Sequence, residues 1–139
     1  MTNTKAASPP AAPGIEAGPP AITRSFPGLP ESVSAARSWV AGFFPVPAAA
    51  ADAALMTSEL VTNAILYSAS RLPGGQVTVS VGIDGGALRV DVIDQGGMPP
   101  CTTVPCGLGQ GLALVAALAD ASGANGPDRW FALSTGGAR

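Results

Sequence analysis

Glu59 and Asn63 stand four residues apart in LMTSELVTNAILYS, residues 55–68, a stretch whose apolar positions recur at helical spacing. On a helix they lie one turn apart on the same face. At about 100° per residue, Leu55 and Leu66 flank that face on one side and Met56 and Leu60 on the other. Both polar groups are therefore expected to point into an apolar arc and away from water. A carboxylate so placed needs compensation, because burying it unpaired is costly or drives it to take up a proton. One solution is a satisfied core pair, with Glu59 bridged to an arginine such as Arg71 and Asn63 capping a neighbouring strand. The other is a functional site.

Two further places carry groups suited to binding. Asp94-Gln95-Gly96-Gly97 follows an alternating strand pattern, so a carboxylate stands at a strand end beside glycines that allow close approach to the backbone. Such an aspartate can accept a hydrogen bond from an exocyclic amine; an ordinary Asp-Gly turn has the same sequence. Gly107-Leu108-Gly109-Gln110-Gly111 precedes LALVAALAD, and glycines at a helix start leave its first N–H groups open to an anion.

Composition narrows the chemistry. The chain has 139 residues, of which 47% are hydrophobic, and this is enough for one domain with a proper core. With no histidine, His-based acid–base catalysis, Ser-His-Asp triads and most zinc sites are excluded, leaving carboxylates, amides, backbone or a bound cation. Net charge is −2 and the seven basic residues are scattered, so no stripe exists to follow a phosphate backbone and direct nucleic-acid binding is not expected. No uncharged apolar run approaches the roughly 18 residues that span a bilayer. The start, MTNTKAASPPAAPG, lacks the apolar core of a signal peptide, so a soluble cytoplasmic protein with no membrane role is the expectation. Cys101 and Cys106 cannot complete a zinc site without histidine, and in the cytosol they are expected as reduced thiols.

The elements that must position these residues follow from periodicity and breakers. Residues 1–20, rich in Ala and Pro, read as a disordered tail, and 21–139 as the single domain. Ala21 to Phe26 fits a short edge strand ended by Pro27. Pro30 and Glu31 open a helix with Val33, Ala36, Val40 and Phe43 or Phe44 on one face and Ser34 and Arg37 on the other. A central helix spans about Ala48 to Ser70 and is closed by Pro73-Gly74-Gly75. Val77, Val79, Val81 and Ile83 alternate with small or polar residues, Asp84-Gly85-Gly86 makes a turn, and Leu88, Val90 and Val92 resume the alternation, which predicts a hairpin. Gly123 is expected to end the last helix, and Trp130 to Ser134 to form a final strand with Phe131 and Leu133 on one side.

The order of the three motifs, SELVTNAILYS (58–68), VDVIDQGG (90–97) and GLGQGLALVAALAD (107–120), resembles the ATP-binding domain shared by gyrase, histidine kinases and mismatch-repair ATPases. FPGLPESVSAARSWV (26–40) and RWFAL (129–133) extend the likeness, which is greatest to the bacterial anti-sigma factor kinases and their actinobacterial relatives. The resemblance implies an α/β two-layer sandwich of the Bergerat type, a mixed and mostly antiparallel sheet covered by helices on one face, binding ATP and Mg²⁺ under a loop. Carried over by residue, Asn63 would ligate Mg²⁺, Glu59 would act as general base, and Asp94 would hold the adenine amine. Gly96, Gly109, Gly111 and Leu112 would complete the nucleotide contacts, and Arg37 would meet protein partners.

By the same resemblance those partners are a sigma factor and an anti-anti-sigma protein, the latter a substrate for serine/threonine phosphorylation, and the chain is expected to form a homodimer. The alternative is a catalytically weak or inactive partner-switching binding module that sequesters a sigma factor or another regulator. Three places differ from the family pattern. Tyr67 stands where histidine is common, and Ser122-Gly123 replaces Trp-Gly. The lid, Met98 to Cys106, is short and has no Lys or Arg, so it brings no side-chain cation to a terminal phosphate.

Overall fold

The computed structural model describes residues 21–96 and 108–135, the side chains of 108–112 excepted. The expected tail and the 98–106 lid with Cys101 and Cys106 lie outside the described residues. The elements are β1 (Ala21–Pro27), α1 (Glu31–Ala41), α2 (Pro47–Tyr67), a single 3₁₀ turn (Ala69–Arg71), β2 (Gln76–Asp84), β3 (Ala87–Ile93), α3 (Leu108–Leu118), β4 (Ala121–Asn125) and β5 (Asp128–Ser134). The strands form one sheet in the order β1-β2-β3-β5-β4. Every neighbouring pair among the described residues is antiparallel, and with the helices packed on this sheet the architecture is the expected α/β sandwich.

One face of the sheet is apolar because the alternation keeps its register across four strands. Phe26 lies opposite Val77, Val79 opposite Val92, Val81 opposite Val90, and Val90 in turn opposite Phe131, all buried. Against this face packs α2 through Ala53, Met56, Leu60, Val61 and Ala64, with α1 adding Ala36 and Val40. Pro47 opens α2 at a position where its missing N–H costs no helix bond. The helix stops at Tyr67 because Ser68 turns to an extended conformation. Its hydroxyl donates to the Ala64 carbonyl at 2.7 Å and accepts the Ser70 N–H at 2.9 Å, satisfying two groups that the helix end would leave open. No helix among the described residues is long and apolar enough to cross a membrane.

Two features of the sequence reading are corrected here. Gly123 does not end α3: the Ala119 N–H still bonds back to Val115, but the Asp120 N–H already bonds to Ala132 on β5, so the chain passes from helix to sheet bonding between these two residues. Gly123 lies inside β4 opposite Trp130, where a side chain would meet the indole at 2.9 Å. The second correction concerns α2. Met56 and Leu60 are buried as expected, whereas Leu55 and Leu66 are 43% and 52% exposed, because the sheet and α1 cover only part of the helix circumference.

The opposite face of the sheet carries no described element and is polar. Arg89 donates to both carboxylate oxygens of Asp91, at 2.9 and 3.0 Å, and its guanidinium lies 4.1 Å from the centre of the Trp130 ring. Hydrogen bonding to Asp91 raises the Arg89 pKa further. Asp128 is pushed up to about 7, chiefly by burial, then by its hydrogen bond with Asp91 and that group's charge, with Arg89 pulling the other way.

The turn after the 3₁₀ segment is compressed around the Ser70 carbonyl, which occupies the space where Gly28 and Gly75 would carry a Cβ. Gly28→Ala is expected to cost about 2 kcal/mol or more by overpacking. Urea unfolding should show this as a lower midpoint at unchanged slope. Gly86→Ala, which meets nothing within 4 Å, should stay within about 0.5 kcal/mol of the parent. Asp128 gives a second expectation. Between the ordinary value of 3.8 and about 7 the folded chain keeps a proton that the unfolded chain has lost, so this group lowers stability as pH rises through that window and adds no slope above it. Asp128→Asn should therefore gain in melting temperature over the parent as pH climbs from about 4 to about 7. Thermal unfolding of both proteins over a pH series measures it.

Candidate functional site

Glu59 and Asn63 occupy successive turns of α2, as their spacing requires. Asn63 is 6% exposed, and its Nδ2 is buried with no hydrogen-bond partner among the described residues. Glu59 is half-buried at the margin of the packed face. The expected apolar arc is thus closed on the Met56 and Leu60 side only. No bridge joins Glu59 to Arg71: the ion pairs among the described residues are Arg89 with Asp91 and Arg129 with Asp94, and Arg71 is exposed. Among the described residues, then, the acid has no cation and the amide nitrogen has no partner, so the expected core pair is not formed there.

Asp94 follows directly on β3, on the helix-covered side, with its side chain 8% exposed. One oxygen accepts the Gly96 N–H at 2.7 Å, which fixes the carboxylate and draws the chain into the left-handed turn at Gly96, where φ is +60°. The other oxygen accepts from Arg129 Nη1 at 3.3 Å. The Asp94 N–H donates to the Pro127 carbonyl at 3.0 Å, so the β4–β5 turn braces the loop from the sheet side.

The loop is braced from the helix side by residues that sequence reasoning passed over. Ala69 donates its N–H to the Gly96 carbonyl at 2.7 Å, and the Gln95 N–H donates to Ser70 Oγ at 3.1 Å. Gln95 Oε1 in turn accepts the Gln76 N–H at 2.6 Å, tying the loop to the start of β2. Ser70 is fully buried. A serine followed by Arg, Leu and Pro-Gly-Gly gives no sign of such a role, except that two glycines, 28 and 75, are needed to accommodate its carbonyl.

Gly109 and Gly111 lie within the first turn of α3, not ahead of it, because that helix already begins at Leu108. Leu112 is on the same helix, and its side chain is outside the described residues. Since α2 packs on α3 and on β3, the structure brings the acid, the amide, the aspartate loop and the glycine-bearing helix start onto adjoining elements. Arg37 is not among them; it is exposed on α1, which packs on α2 and β1.

This arrangement fits a nucleotide with its cation. The described residues hold no group of three or more His, Cys, Asp or Glu able to cage a metal. Mg²⁺, however, is ordinarily held by one or two protein oxygens plus substrate phosphates. A buried amide without a partner suits that role, because a half-turn of the amide presents either a donor or a hard oxygen. A family model for the histidine kinase-like ATPase domain matches residues 26–127, well over half of the chain. A comparison with curated proteins gives no match.

A buried, unpartnered amide also predicts a stability effect. Asn63→Leu removes the unsatisfied group at similar volume, so the melting temperature should hold or rise, by the equivalent of up to about 1 kcal/mol. A loss of about 1–3 kcal/mol in thermal unfolding would instead mark Asn63 as a structural cap.

Proposed function

The chain belongs to the histidine kinase-like ATPase domain family, an ATP-binding family, and we propose on that premise that it is an anti-sigma regulatory factor acting as a Mg²⁺-dependent serine/threonine protein kinase. The observation that supports the reading is Asn63, whose buried amide nitrogen has no partner among the described residues, one turn from Glu59, which forms no ion pair among them. Neither satisfies the fold, and both have a use if a phosphate-bound cation and an attacking hydroxyl come to this face of α2.

Bound nucleotide and Mg²⁺ supply the phosphoryl group and neutralise its charge. The residues of the chain hold, orient and move a proton. Asn63 would contribute one oxygen to the ion. Asp94, fixed by the Gly96 N–H, accepts from the amine of the base, and Gly96, Gly109, Gly111 and Leu112 border the nucleotide. Glu59 would take the proton of a serine hydroxyl on the partner protein, readying that oxygen to accept the phosphoryl group as the nucleoside diphosphate leaves. In this reading the partners are an anti-anti-sigma protein, as substrate, and a sigma factor, as the protein sequestered. Exposed Arg37 belongs to the partner-binding surface, and the working form is a cytoplasmic homodimer.

A second reading is favoured by the 98–106 sequence, which contains no Lys or Arg to neutralise a terminal phosphate in transfer. Here the chain binds nucleotide to choose between partners and transfers nothing.

Calorimetry with Mg-ATP followed by transfer from labelled ATP to candidate antagonist proteins separates these readings. Asn63→Ala should lower Mg²⁺-dependent ATP affinity about ten-fold or more. Glu59→Gln keeps shape and hydrogen bonding, so it should bind ATP nearly as well while transfer falls ~10²-fold or more. A parent protein that binds ATP and labels no antagonist leaves the binding module standing. One that binds no nucleotide removes both readings.

A further inference from the structure

Asp94 is the residue that the nucleotide-binding reading sets against the amine of the base, and its use there depends on where its two oxygens point. The terminal torsion of an aspartate is broad, so the side chain alone does not hold the plane of its carboxylate. The Gly96 N–H pins one oxygen at 2.7 Å, and a plane held at one point can still swing about it. Arg129 supplies the second point, with Nη1 3.3 Å from the other oxygen. The two residues are 35 apart in sequence and meet because β5 pairs with β3. Arg129 is itself firmly placed. It lies on a strand paired on both sides, opposite Val92 of β3 and Ala124 of β4, and on the helix-covered side of the sheet. Its Nε is buried with no partner among the described residues, so that N–H is closed to a ligand, and the ion pair it forms is with Asp94.

One bond on each oxygen, from two different elements, fixes the carboxylate plane and leaves about two of its roughly four lone-pair directions open. At 3.3 Å the Arg129 contact is longer than the charge-assisted bonds that run at about 2.7–2.9 Å, so it orients the group without saturating it. A donor that approaches a carboxylate held in this way meets an acceptor already aimed, whereas a free one must first be ordered, and the ordering costs affinity. Only a base with an exocyclic amine gains from the difference. We infer that Arg129 is a positioning residue for base selection: acting through Asp94, it makes the site prefer 6-aminopurine nucleotides over those without the amine. The inference rests on the nucleotide-binding reading and adds to it the residue that sets the base preference.

The triphosphate of purine riboside is the probe, since it differs from ATP only in lacking the amine at position 6. Calorimetry on the full chain with each nucleotide and Mg²⁺ gives the ratio of the two Kd values, expected to favour ATP by about ten-fold or more in the parent. Arg129→Met keeps the aliphatic stem and loses the donors, so the ratio should fall to within about three-fold of unity. Arg129→Lys retains a cationic donor and should restore part of the preference. In an Asp94→Ala background, where no carboxylate is left to position, Arg129→Met should change the ratio no further. A general loosening of the fold weakens both nucleotides alike and leaves the ratio where it was. Arg129→Val, suited to a strand, takes the place of the methionine variant if that one does not fold. The parent's ratio preserved in the donor-free variant overturns the inference, as does an effect that persists without the Asp94 carboxylate, or a parent that binds both nucleotides equally; in each case the nucleotide-binding reading stands. A parent that binds neither nucleotide overturns both.

Discussion

Two hydrogen bonds hold the loop after β3 to the segment that ends α2: Ala69 N–H to the Gly96 carbonyl and Gln95 N–H to the Ser70 hydroxyl. The apolar contact between α2 and the sheet is strong in sum but not directional, and by itself it fixes neither the rotation nor the height of the helix. The hydrogen bonds do, and they relate the turn carrying Asn63 to the turn carrying Asp94. Their cost appears elsewhere in the sequence. Ser70 must be buried, Ser68 must end the helix and cap the turn, and positions 28 and 75 must lack side chains so that the Ser70 carbonyl can sit against their backbone.

Around this brace the polar groups lie on two faces of the sheet. On the uncovered face of the sheet Arg89 chelates Asp91 and stacks on Trp130, while Asp128 beside them keeps one buried oxygen without a partner among the described residues. The helix side carries unsatisfied groups as well. Asn63 Nδ2 and Arg129 Nε are buried without partners, and Glu59 has no cation among the described residues. Buried unsatisfied groups are few in native proteins because each costs on the order of 1–3 kcal/mol. Asn63 and Arg129 stand on elements adjoining the Asp94 loop, whereas Thr57 and Asp128 carry the other two such atoms among the described residues.

The Arg129–Asp94 contact also alters how the aspartate is to be read. An Asp-x-Gly turn after a strand is common, and the Gly96 N–H bond is what such a turn normally makes. What sets this one apart is a guanidinium arriving from β5, close enough to interact and too far to saturate the carboxylate. That combination sets a donor beside the acceptor, where the turn alone would give an acceptor only.

Periodicity along the chain determined the elements that are regular and half-buried. The α1 face of Ala36 and Val40, the β2–β3 hairpin and the Phe131 and Leu133 side of β5 follow from alternation that each segment carries in itself. The one-turn spacing of Glu59 and Asn63 was likewise local, and the order of three motifs pointed to the family that residues 26–127 match. What lay outside the sequence's reach depended on residues far apart in the chain. Strand β4, ASGAN, has no apolar alternation and is mostly exposed, so it exists as a strand only because β5 supplies its hydrogen-bond partners. Leu55 and Leu66 look like core on a helical wheel, but whether a helix face is covered is decided by its neighbours. The Ser70 brace and the Arg129–Asp94 pair are contacts between segments 25 and 35 residues apart. A local period fixes which way a side chain points along its own element; only the packing of one element on another fixes what it meets there.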